Sequence, residues 1–280
     1  MKIAILGVGF LGSQLVDFFS SSFDVVCVDI NPRNHLVEKI DATNKLQIQN
    51  FLIFEKPEIV INTIALSSYF ECEKNYQLCR KLNYETAKNI AQACQKIQAK
   101  MIFISSSYVF DGEKGNYLEN DIPNSLNQYA VSKIHAEKKV LELDNSIVIR
   151  LEPIYGFDKL KKQIVFGTNA FDDDVKIAFP KILRKPIFLE DIGPIILSLI
   201  EKNLNGIFNI AGPTKLTWLN FLMKLSELVN EESKIKVVDN ASWILKPPHD
   251  SSLDISKIKS LGVVTTEFKT ALKILKSRLH

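Results

Sequence analysis

The feature of this chain that most constrains its fold is a regular alternation of short apolar runs with longer amphipathic stretches. The apolar runs lack strict polar alternation, which is typical of strands covered on both faces. Such strands, alternating with helices, favour right-handed βαβ units and a doubly wound parallel sheet in an α/β fold. The predicted strands are Lys2–Leu6, Asp24–Asp29, Glu58–Asn62, Lys100–Ser105 and Ser146–Leu151, and the predicted helices lie near Leu11–Ser20, Lys45–Glu55, Cys72–Gln98 and Gln128–Leu143.

A glycine-rich segment follows the first predicted strand and has the GxGxxG spacing. Glycines at these positions let the backbone turn tightly and approach a pyrophosphate at the start of the next helix, as in a Rossmann-like dinucleotide site. The alternative is a plain structural turn, but the strand before it, the helix after it and the acid that closes the next strand favour the site. The residues predicted to contact the cofactor here are Gly7, Gly9, Phe10, Leu11 and Gly12.

Asp29 closes the second predicted strand and is the predicted ribose ligand. A carboxylate at this position accepts hydrogen bonds from both adenosine hydroxyls and repels a 2′-phosphate, so it favours NAD(H). Arg33 lies close enough in sequence to accommodate that phosphate, which keeps NADP(H) as the alternative. Asp29 also fits a strand-ending turn ahead of Asn31 and Pro32.

Further cofactor contacts are predicted beside the next strand. Asn62 and Ala65 lie at the end of the third major strand, and the carboxyl ends of parallel strands line the ligand crevice. Asn62 fits a simple turn nearly as well. Asp41 either contacts the adenine side of the cofactor or caps the following helix.

The pattern changes in the last part of the chain. Phe157–Lys176 is polar, charged and poorly periodic, and it predicts a connecting loop. The helical patterns that follow are joined by one short predicted strand, Gly206–Ile210, which is too little strand for an independent sheet. We therefore expect residues 1–156 to form the dinucleotide-binding domain. Residues 157–280 are expected to form mostly a small substrate-binding cap, with some elements returning to the core.

Charge and hydropathy exclude several classes of function. The formal net charge of +3 comes from dispersed lysines and arginines, so the sequence predicts neither a nucleic-acid surface nor a membrane patch. Ile3–Leu6 is far too short for the apolar core of a signal peptide. The most apolar later stretch, Ile187–Ile200, is interrupted by Glu190 and Asp191, which argues against a membrane span. We expect a cytoplasmic protein.

No metal site is expected. The four cysteines form no CxxC pair, and no two histidines have helical ligand spacing. Asp172, Asp173 and Asp174 lack the spacing of a calcium-binding loop and are interpreted as solvated. The thiols are expected to be buried or inert in a reducing cytosol.

A serine-rich strand end is followed by a tyrosine and a lysine four positions apart. On a helix this spacing places Tyr129 and Lys133 on one face, one turn apart. Reduction of a ketone needs a proton on the developing alkoxide, and we predict that Tyr129 donates it. The Lys133 ammonium is expected to lower the pKa of Tyr129 and to hold the nicotinamide ribose. A hydroxyl of Ser105, Ser106 or Ser107 would orient the carbonyl. The alternative is an exposed tyrosine beside a solvated lysine.

These segments resemble the dTDP-4-dehydrorhamnose reductase family of extended short-chain dehydrogenase/reductases. ISSSYVFDGEKGNY resembles the family's ISTDYVFDG, PNSLNQYAVSK resembles P-x-N-x-Y-x-x-S-K, and IVIRLEPIYG resembles R-x-x-x-x-YG. RKPIFLEDIG, GIFNIAGPTKLTW and SSLDISKIKSLG are similar to its C-terminal signatures, so the likeness covers nearly the whole chain. The resemblance implies NAD(P)H-dependent reduction of a 4-keto-6-deoxy nucleotide sugar.

The resemblance also implies roles for individual residues. It assigns the carbonyl-orienting serine to Ser106, three positions before Val109, with Tyr129 as proton donor and Lys133 beside it. Asn83 resembles the asparagine that supports the proton-transfer site, although a polar residue on a helix face fits it equally well. The residues implied to contact substrate are Ser107, Tyr108, Val109, Phe110 and Trp218.

Some positions depart from the family pattern. Leu6 stands where extended members place their first glycine, Ser107 where this family has Asp, and Pro153 where a substrate-cleft Trp is common. Lys181 and Ile182 replace the usual Asp-Gln. The cofactor and proton-transfer residues are intact while the substrate pocket is altered. We therefore expect a nucleotide sugar as the partner molecule, and a homodimer is compatible with the sequence.

Two other functions fit the same resemblance. The β subunit of methionine adenosyltransferase resembles this family and works as a partner subunit, so a cofactor-binding regulatory protein is the second hypothesis. A nucleotide-sugar epimerase or dehydratase that retains its cofactor is the third. Consumption of added NADH separates a reductase from both.

Overall fold

Seven parallel strands form the main sheet of the computed structural model. The structure describes residues 1–32, 36–124, 127–159, 163–166, 176–229, 234–238 and 247–279. In spatial order the strands are β12 (Gly206–Ile210), β6 (Ser146–Leu151), β5 (Lys100–Ser106), β4 (Ile59–Asn62), β1 (Lys2–Leu6), β2 (Asp24–Asp29) and β3 (Val37–Lys39). This order confirms the predicted doubly wound parallel sheet. Only β3 was missed, because its three residues include two exposed charged side chains and form no apolar run.

Helices cover both faces of the sheet, and the strands supply alternate residues to each face. Ile3 and Ile5 point toward α1 (Phe10–Ser20) and α7 (Leu189–Glu201). Ala4 and Leu6 point to the opposite face. The helices on that second face are α2 (Lys45–Glu55), α5 (Thr86–Ile97) and α6 (Gln128–Val140). Burial on both faces explains why these strands are continuous apolar runs.

The predicted helix Cys72–Gln98 is divided into pieces. α3 (Tyr69–Lys74) ends at Asn75, whose backbone is not helical. The Asn75 side chain begins α4 (Tyr76–Arg80) by accepting a hydrogen bond from the Leu78 N–H at 3.0 Å. A π-helical turn, Lys81–Glu85, joins α4 to α5. Amphipathic periodicity continues across the break, so the sequence pattern indicated one helix where the structure has several.

Short strands build the cap, and they correct the predicted loop Phe157–Lys176. β7 (Ile154–Asp158) pairs antiparallel with β8 (Gln163–Phe166), and β11 (Ile187–Phe188) lies beside β7. Strands this short fall below the length at which periodicity separates strand from loop. Residues 160–162 and 167–175 of that loop, with Asp172–Asp174, lie outside the described residues.

The remaining cap elements pack around a small aromatic core. The paired strands are β9 (Lys176–Ala178) with β14 (Ile235–Val237) and β10 (Leu183–Arg184) with β13 (Leu216–Thr217). The helices are α8 (Trp218–Val229), α9 (Ser256–Ser260) and α10 (Phe268–Ser277). Tyr155 and Phe221 lie at the centre of this core, with ring centroids 5.4 Å apart.

Two elements after residue 156 belong to the main layers. β12 extends the sheet beyond β6, and α7 packs on α1. At the helix contact, a Cβ added to Gly193 would lie 2.7 Å from the Phe18 ring, so only glycine permits this approach. Among the helices that the structure describes, none is long and apolar enough to span a bilayer.

Candidate active site

A cavity of about 480 Å³ opens at the carboxyl ends of the main strands. This edge of a doubly wound sheet is where ligands bind, because loops from neighbouring strands diverge there. The lining residues are Gly9–Gly12, Thr63, Ala65, Ser67–Tyr69, Ile104–Tyr108, Tyr129, Lys133, Leu151–Ile154, Val165, Phe179, Trp218 and Pro247. The cavity therefore joins the predicted dinucleotide segment to the predicted catalytic residues.

The glycine segment has the geometry of an anion-binding turn. Gly7 has φ of +92°, a left-handed conformation that favours glycine. A Cβ on Gly12 would lie 1.9 Å from the Gly7 carbonyl oxygen, so Gly12 is required for the close helix–strand contact. A Cβ on Gly9 would meet no described atom within 4 Å. Gly9 precedes α1 without a side-chain cap, which leaves the positive helix end open to a ligand.

Asp29 supports this turn. Its Oδ2 accepts a hydrogen bond from the Val8 N–H at 2.7 Å, and its Oδ1 accepts one from the Asn31 N–H at 2.9 Å. Asp29 thus serves the predicted strand-ending turn while it fixes the glycine segment. The ribose contact stays a prediction, and Arg33 lies outside the described residues.

The other predicted cofactor residues are divided between the cavity and local turns. Ala65 lines the cavity. Asn62 is buried and accepts a hydrogen bond from the Ile64 N–H at 3.0 Å. Asp41 accepts hydrogen bonds from the N–H and hydroxyl of Thr43, and Asn44 is the residue that caps α2.

Thr63 is a cavity residue that sequence reasoning missed. Its hydroxyl donates to the Gly7 carbonyl at 2.5 Å and lies 3.1 Å from the Leu6 carbonyl. It therefore fastens the end of β4 to the glycine turn. The available signal was its position directly after Asn62, at the carboxyl end of a predicted strand.

The structure brings Ser106, Tyr129 and Lys133 together at the cavity wall. Asn127 begins α6 by accepting a hydrogen bond from the Ala130 N–H at 2.9 Å, which sets the rotation of the helix. Tyr129 and Lys133 then lie on one buried face, as their spacing predicts. Burial raises the pKa of Tyr129, opposed by a hydrogen bond with the Ser106 side chain.

That pKa direction corrects one prediction. Lys133 was expected to lower the pKa of Tyr129, but burial of the phenol dominates and raises it. The Lys133 ammonium donates instead to the Ile104 carbonyl at 2.8 Å and lies 4.7 Å from the Phe103 ring centroid. Burial lowers the pKa of Lys133 to about 8. Tyr129 is therefore a neutral phenol at pH 7 and retains its proton.

The three consecutive serines have different partners. Ser105 donates to Glu137 at 2.5 Å, and Ser107 is buried with its hydroxyl 3.5 Å from that of Ser251. Ser106 is the one of the three that is hydrogen-bonded with Tyr129. The geometry thus agrees with the choice of Ser106, although the assignment of its role remains a prediction.

A buried ion pair lies behind Lys133 and was not foreseen. Glu137, one helical turn further along α6, accepts hydrogen bonds from Arg150 Nη2 at 2.8 Å and Nε at 3.1 Å. Both side chains are almost fully buried. Burial has the largest effect on the pKa of Lys133 and lowers it. The Glu137 carboxylate has the next largest effect and raises it. The sequence signal was the spacing of four from Lys133.

Asn83 lies behind the cavity wall rather than on it. Its Oδ1 accepts a hydrogen bond from the Leu66 N–H at 2.8 Å, and its Nδ2 donates to the Ser132 hydroxyl at 3.0 Å. Ser132 in turn donates to the Tyr129 carbonyl at 2.6 Å. Asn83 therefore connects the loop after β4 to the helix that carries Tyr129.

The residues implied to contact substrate separate into two groups. Ser107, Tyr108 and Trp218 line the cavity. Val109 and Phe110 are fully buried in the main core and lie outside the cavity lining. The hydrophobic character of these residues in the sequence could not show which of them line the cavity and which are buried in the core.

The far wall of the cavity comes from the cap and from the segment after β6. Val165, Phe179 and Pro247 are lining residues that the sequence did not suggest. Glu152 also lines the cavity, accepts a hydrogen bond from the Leu253 N–H at 3.1 Å, and has its pKa raised to about 7 by burial. Within the described ranges, no group of three or more His, Cys, Asp or Glu side chains could hold a metal ion.

Fold and site together define a Rossmann-like protein with a glycine turn and a Ser–Tyr–Lys group on one cavity. More narrowly, the chain belongs to the family described as RmlD substrate binding domain, whose profile matches residues 1–280. This confirms the resemblance to dTDP-4-dehydrorhamnose reductases.

Known proteins similar to this chain include both reductases and a subunit of methionine adenosyltransferase. Methionine adenosyltransferase 2 subunit beta of Mus musculus is 26% identical over 97% of this chain and 86% of its own length. The structure of a hypothetical dTDP-4-dehydrorhamnose reductase from Sulfolobus tokodaii is 32% identical, with 96% of each chain covered and a TM-score of 0.81. The dTDP-4-dehydrorhamnose reductase of Bacillus anthracis, in complex with NADP, is 23% identical, with 98% of each chain covered and a TM-score of 0.83.

Proposed function

We propose that this protein reduces the keto group of a 4-keto-6-deoxy nucleotide sugar with NADH or NADPH, in the manner of dTDP-4-dehydrorhamnose reductase. The observation that carries the proposal is the Tyr129 phenol, hydrogen-bonded with Ser106 and followed one turn later by Lys133, on a cavity that also contains the glycine turn. Membership of the family and the similarity to the Sulfolobus tokodaii protein support it.

The residues of the cavity fit a dinucleotide. The open space beside Gly9 and the uncapped start of α1 suit a pyrophosphate. Asp29 is already oriented by the Val8 N–H at the end of β2, where its carboxylate favours NAD(H). The Bacillus anthracis neighbour is in complex with NADP, which keeps NADP(H) as the alternative. When bound, the nicotinamide supplies the hydride.

The side chains divide the remaining work. Ser106 donates a hydrogen bond to the substrate carbonyl and orients it. Tyr129, which burial keeps protonated, delivers its proton to the oxygen as negative charge develops. Lys133, charged below a pH of about 8, stabilises the phenolate that remains.

The test is turnover on a panel of sugars. Purified protein would be incubated with dTDP-, UDP- and GDP-linked 4-keto-6-deoxy sugars and either cofactor, with products identified by mass spectrometry. We expect cofactor oxidation only in the presence of a keto sugar, with a product two hydrogens heavier. Conversion of a sugar without net consumption of NADH would indicate an epimerase or dehydratase instead.

A second candidate function, that of a regulatory subunit, is favoured by one similar protein and by one residue of the cavity wall. The mouse methionine adenosyltransferase subunit is similar over 97% of this chain, and Pro153 occupies the cavity wall where the reductases of this family commonly have Trp. A regulatory subunit would bind dinucleotide tightly, reduce no sugar of the panel and co-purify with a methionine adenosyltransferase. Reduction of any panel sugar at enzymatic rates would contradict it.

A further inference from the structure

Two buried thiols meet immediately behind the Tyr129 site. Cys72 on α3 and Cys79 on α4 lie on either side of the helix break at Asn75, and both side chains are fully buried. Both lie in one buried cluster with Tyr69 and Tyr129. The Asn83 amide nitrogen donates to both, at 3.4 Å from Cys79 Sγ and 3.9 Å from Cys72 Sγ. The break in the helix is what allows two residues seven apart to share one donor.

The thiol pair is connected to the proposed proton donor. The Cys79 thiol donates to the Ser132 hydroxyl at 3.5 Å, and Ser132 donates to the Tyr129 carbonyl at 2.6 Å. Both cysteines pack in one cluster with the rings of Tyr69 and Tyr129, and those two rings line the cavity. The sulfurs therefore lie one side-chain layer behind the cavity wall.

We propose that Cys72 and Cys79 form a dithiol modification site, at which a small hydroperoxide closes a reversible disulfide that switches off the adjacent Tyr129 centre. Two thiols that share one amide donor, at 3.4 Å and 3.9 Å, need only a small shift of either short helix to reach bonding distance. The location at a break between two short helices permits that movement more readily than a position inside a continuous helix would.

The reaction balances with a hydroperoxide as the oxidant. The Cys79 thiolate attacks one peroxide oxygen, the O–O bond breaks, and the other oxygen leaves as the alcohol after taking the thiol proton. Cys72 sulfur then attacks the sulfur of the resulting sulfenic acid, the S–O bond breaks, and water leaves with the Cys72 proton. The two thiols lose two electrons and the hydroperoxide gains them.

The electrostatics select Cys79 as the attacking sulfur. The Asn83 amide nitrogen lies closer to Cys79 Sγ, at 3.4 Å, than to Cys72 Sγ, at 3.9 Å, and the interaction with Cys72, followed by those with Ser132 and Asn83, lowers the pKa of Cys79. The other two cysteines have no such environment. Burial raises the pKa of Cys94 to about 12, and burial also raises the pKa of Cys27. Reactivity toward a peroxide follows the thiolate fraction, so oxidation is confined to the pair.

The primary test is a map of the thiols, and it does not depend on the proposed function. The native protein would be treated with hydrogen peroxide, unfolded, alkylated and digested without reductant. We expect one linked peptide pair, Cys72 with Cys79, while Cys27 and Cys94 stay alkylated. Recovery of Cys72 and Cys79 as alkylated thiols, or a linkage that involves Cys27 or Cys94, would overturn the proposal.

Variants give a second reading of the same site. Cys94→Ser, the matched control at another buried cysteine, should still form the link. Cys72→Ser should form none and should instead accumulate a dimedone-reactive sulfenic acid at Cys79. Absence of dimedone labelling in a folded Cys72→Ser protein would contradict the role of Cys79 as the attacking sulfur.

The effect on activity rests on the proposed reductase function. Formation of the disulfide removes the thiol contacts of Asn83 and Ser132 and displaces the support of Tyr129. Turnover of the oxidised protein is expected to fall roughly 100-fold, the scale of a misplacement of about 1 Å, and to return with dithiothreitol. A mapped disulfide with unchanged turnover would overturn the switch, whereas absence of turnover in the reduced protein would count against the proposed function alone.

Discussion

The two sides of the cavity are built in different ways. On the strand-end side, Gly9 follows β1 and Ser106 ends β5, two parallel strands of the main sheet whose central residues are buried. On the cap side, Phe179 and Trp218 follow strands of only two or three residues. The strand-end side comprises Gly9–Gly12, Thr63 and Ile104–Ser106, and the cap side comprises Val165, Phe179, Trp218 and Pro247.

The difference implies a division of labour. Groups that transfer a proton must be held within a fraction of an ångström, and the rigid sheet supplies that precision. Recognition of a substrate tolerates a wall of short elements that can be altered without disturbing the sheet. Changes near the sheet should therefore reduce kcat or stability, whereas changes in the cap should act mainly on KM.

The largest effect is expected at Tyr129. Tyr129→Phe removes the proposed proton donor but keeps the ring, so kcat should fall by roughly 10²–10⁴-fold. The measurement is NAD(P)H oxidation with the keto sugar identified by the panel. Tyr84→Phe, at a tyrosine outside the cavity lining, is the control and should keep full activity. A Tyr129→Phe protein with unchanged kcat would remove the mechanism.

The next effect concerns the stability of the strand-end side. Glu137→Ala would leave Arg150 buried without its carboxylate partner, and it should reduce the free energy of unfolding by about 3–5 kcal/mol. Chemical denaturation measures this loss. Glu142→Ala, which removes an exposed carboxylate paired with Lys139, should change stability by less than about 1 kcal/mol. Equal losses in the two variants would contradict the importance of burial.

The pH dependence of turnover should reflect the protonation of Lys133. Its pKa is lowered to about 8, so the ammonium is present below that pH and is lost above it. We expect kcat/KM to decline on the alkaline side, approaching about tenfold per pH unit. Glu137→Gln removes the carboxylate that raises the pKa of Lys133, so this decline should begin at lower pH. A Glu137→Gln pH profile that coincides with the wild-type profile would contradict the effect of Glu137 on the pKa of Lys133.

The smallest effect is expected on the cap side. Trp218 lies on the cavity wall, and its indole N–H donates to the Ile177 carbonyl at 3.2 Å. Trp218→Ala should raise KM for the nucleotide sugar about fivefold, near 1 kcal/mol, with kcat nearly unchanged. Trp218→Phe, which keeps an aromatic ring, should recover most of the loss. A large fall in kcat for Trp218→Ala would contradict the assignment of substrate binding to the cap side and proton transfer to the strand-end side.

The same contrast explains what the sequence could predict. The ends of β4 and β5 were predicted to within one residue, because a strand that is buried on both faces requires a continuous apolar run in the sequence. Tyr129 and Lys133 were found because helical spacing alone places them together. The pairing of Glu137 with Arg150, and the placement of Phe179 and Trp218 on one cavity, arise only after distant segments have folded together, so no local pattern predicts either arrangement.

The return of the chain to the main sheet has a consequence for shortened forms of the protein. β12 covers the outer edge of β6, and α7 covers α1. A polypeptide that stops after Gly156 would present the unpaired backbone of β6 and an uncovered apolar helix to water, both of which promote aggregation. Premature termination in the cap should thus be observed as insolubility and degradation rather than as a nucleotide-binding fragment that has lost only its substrate.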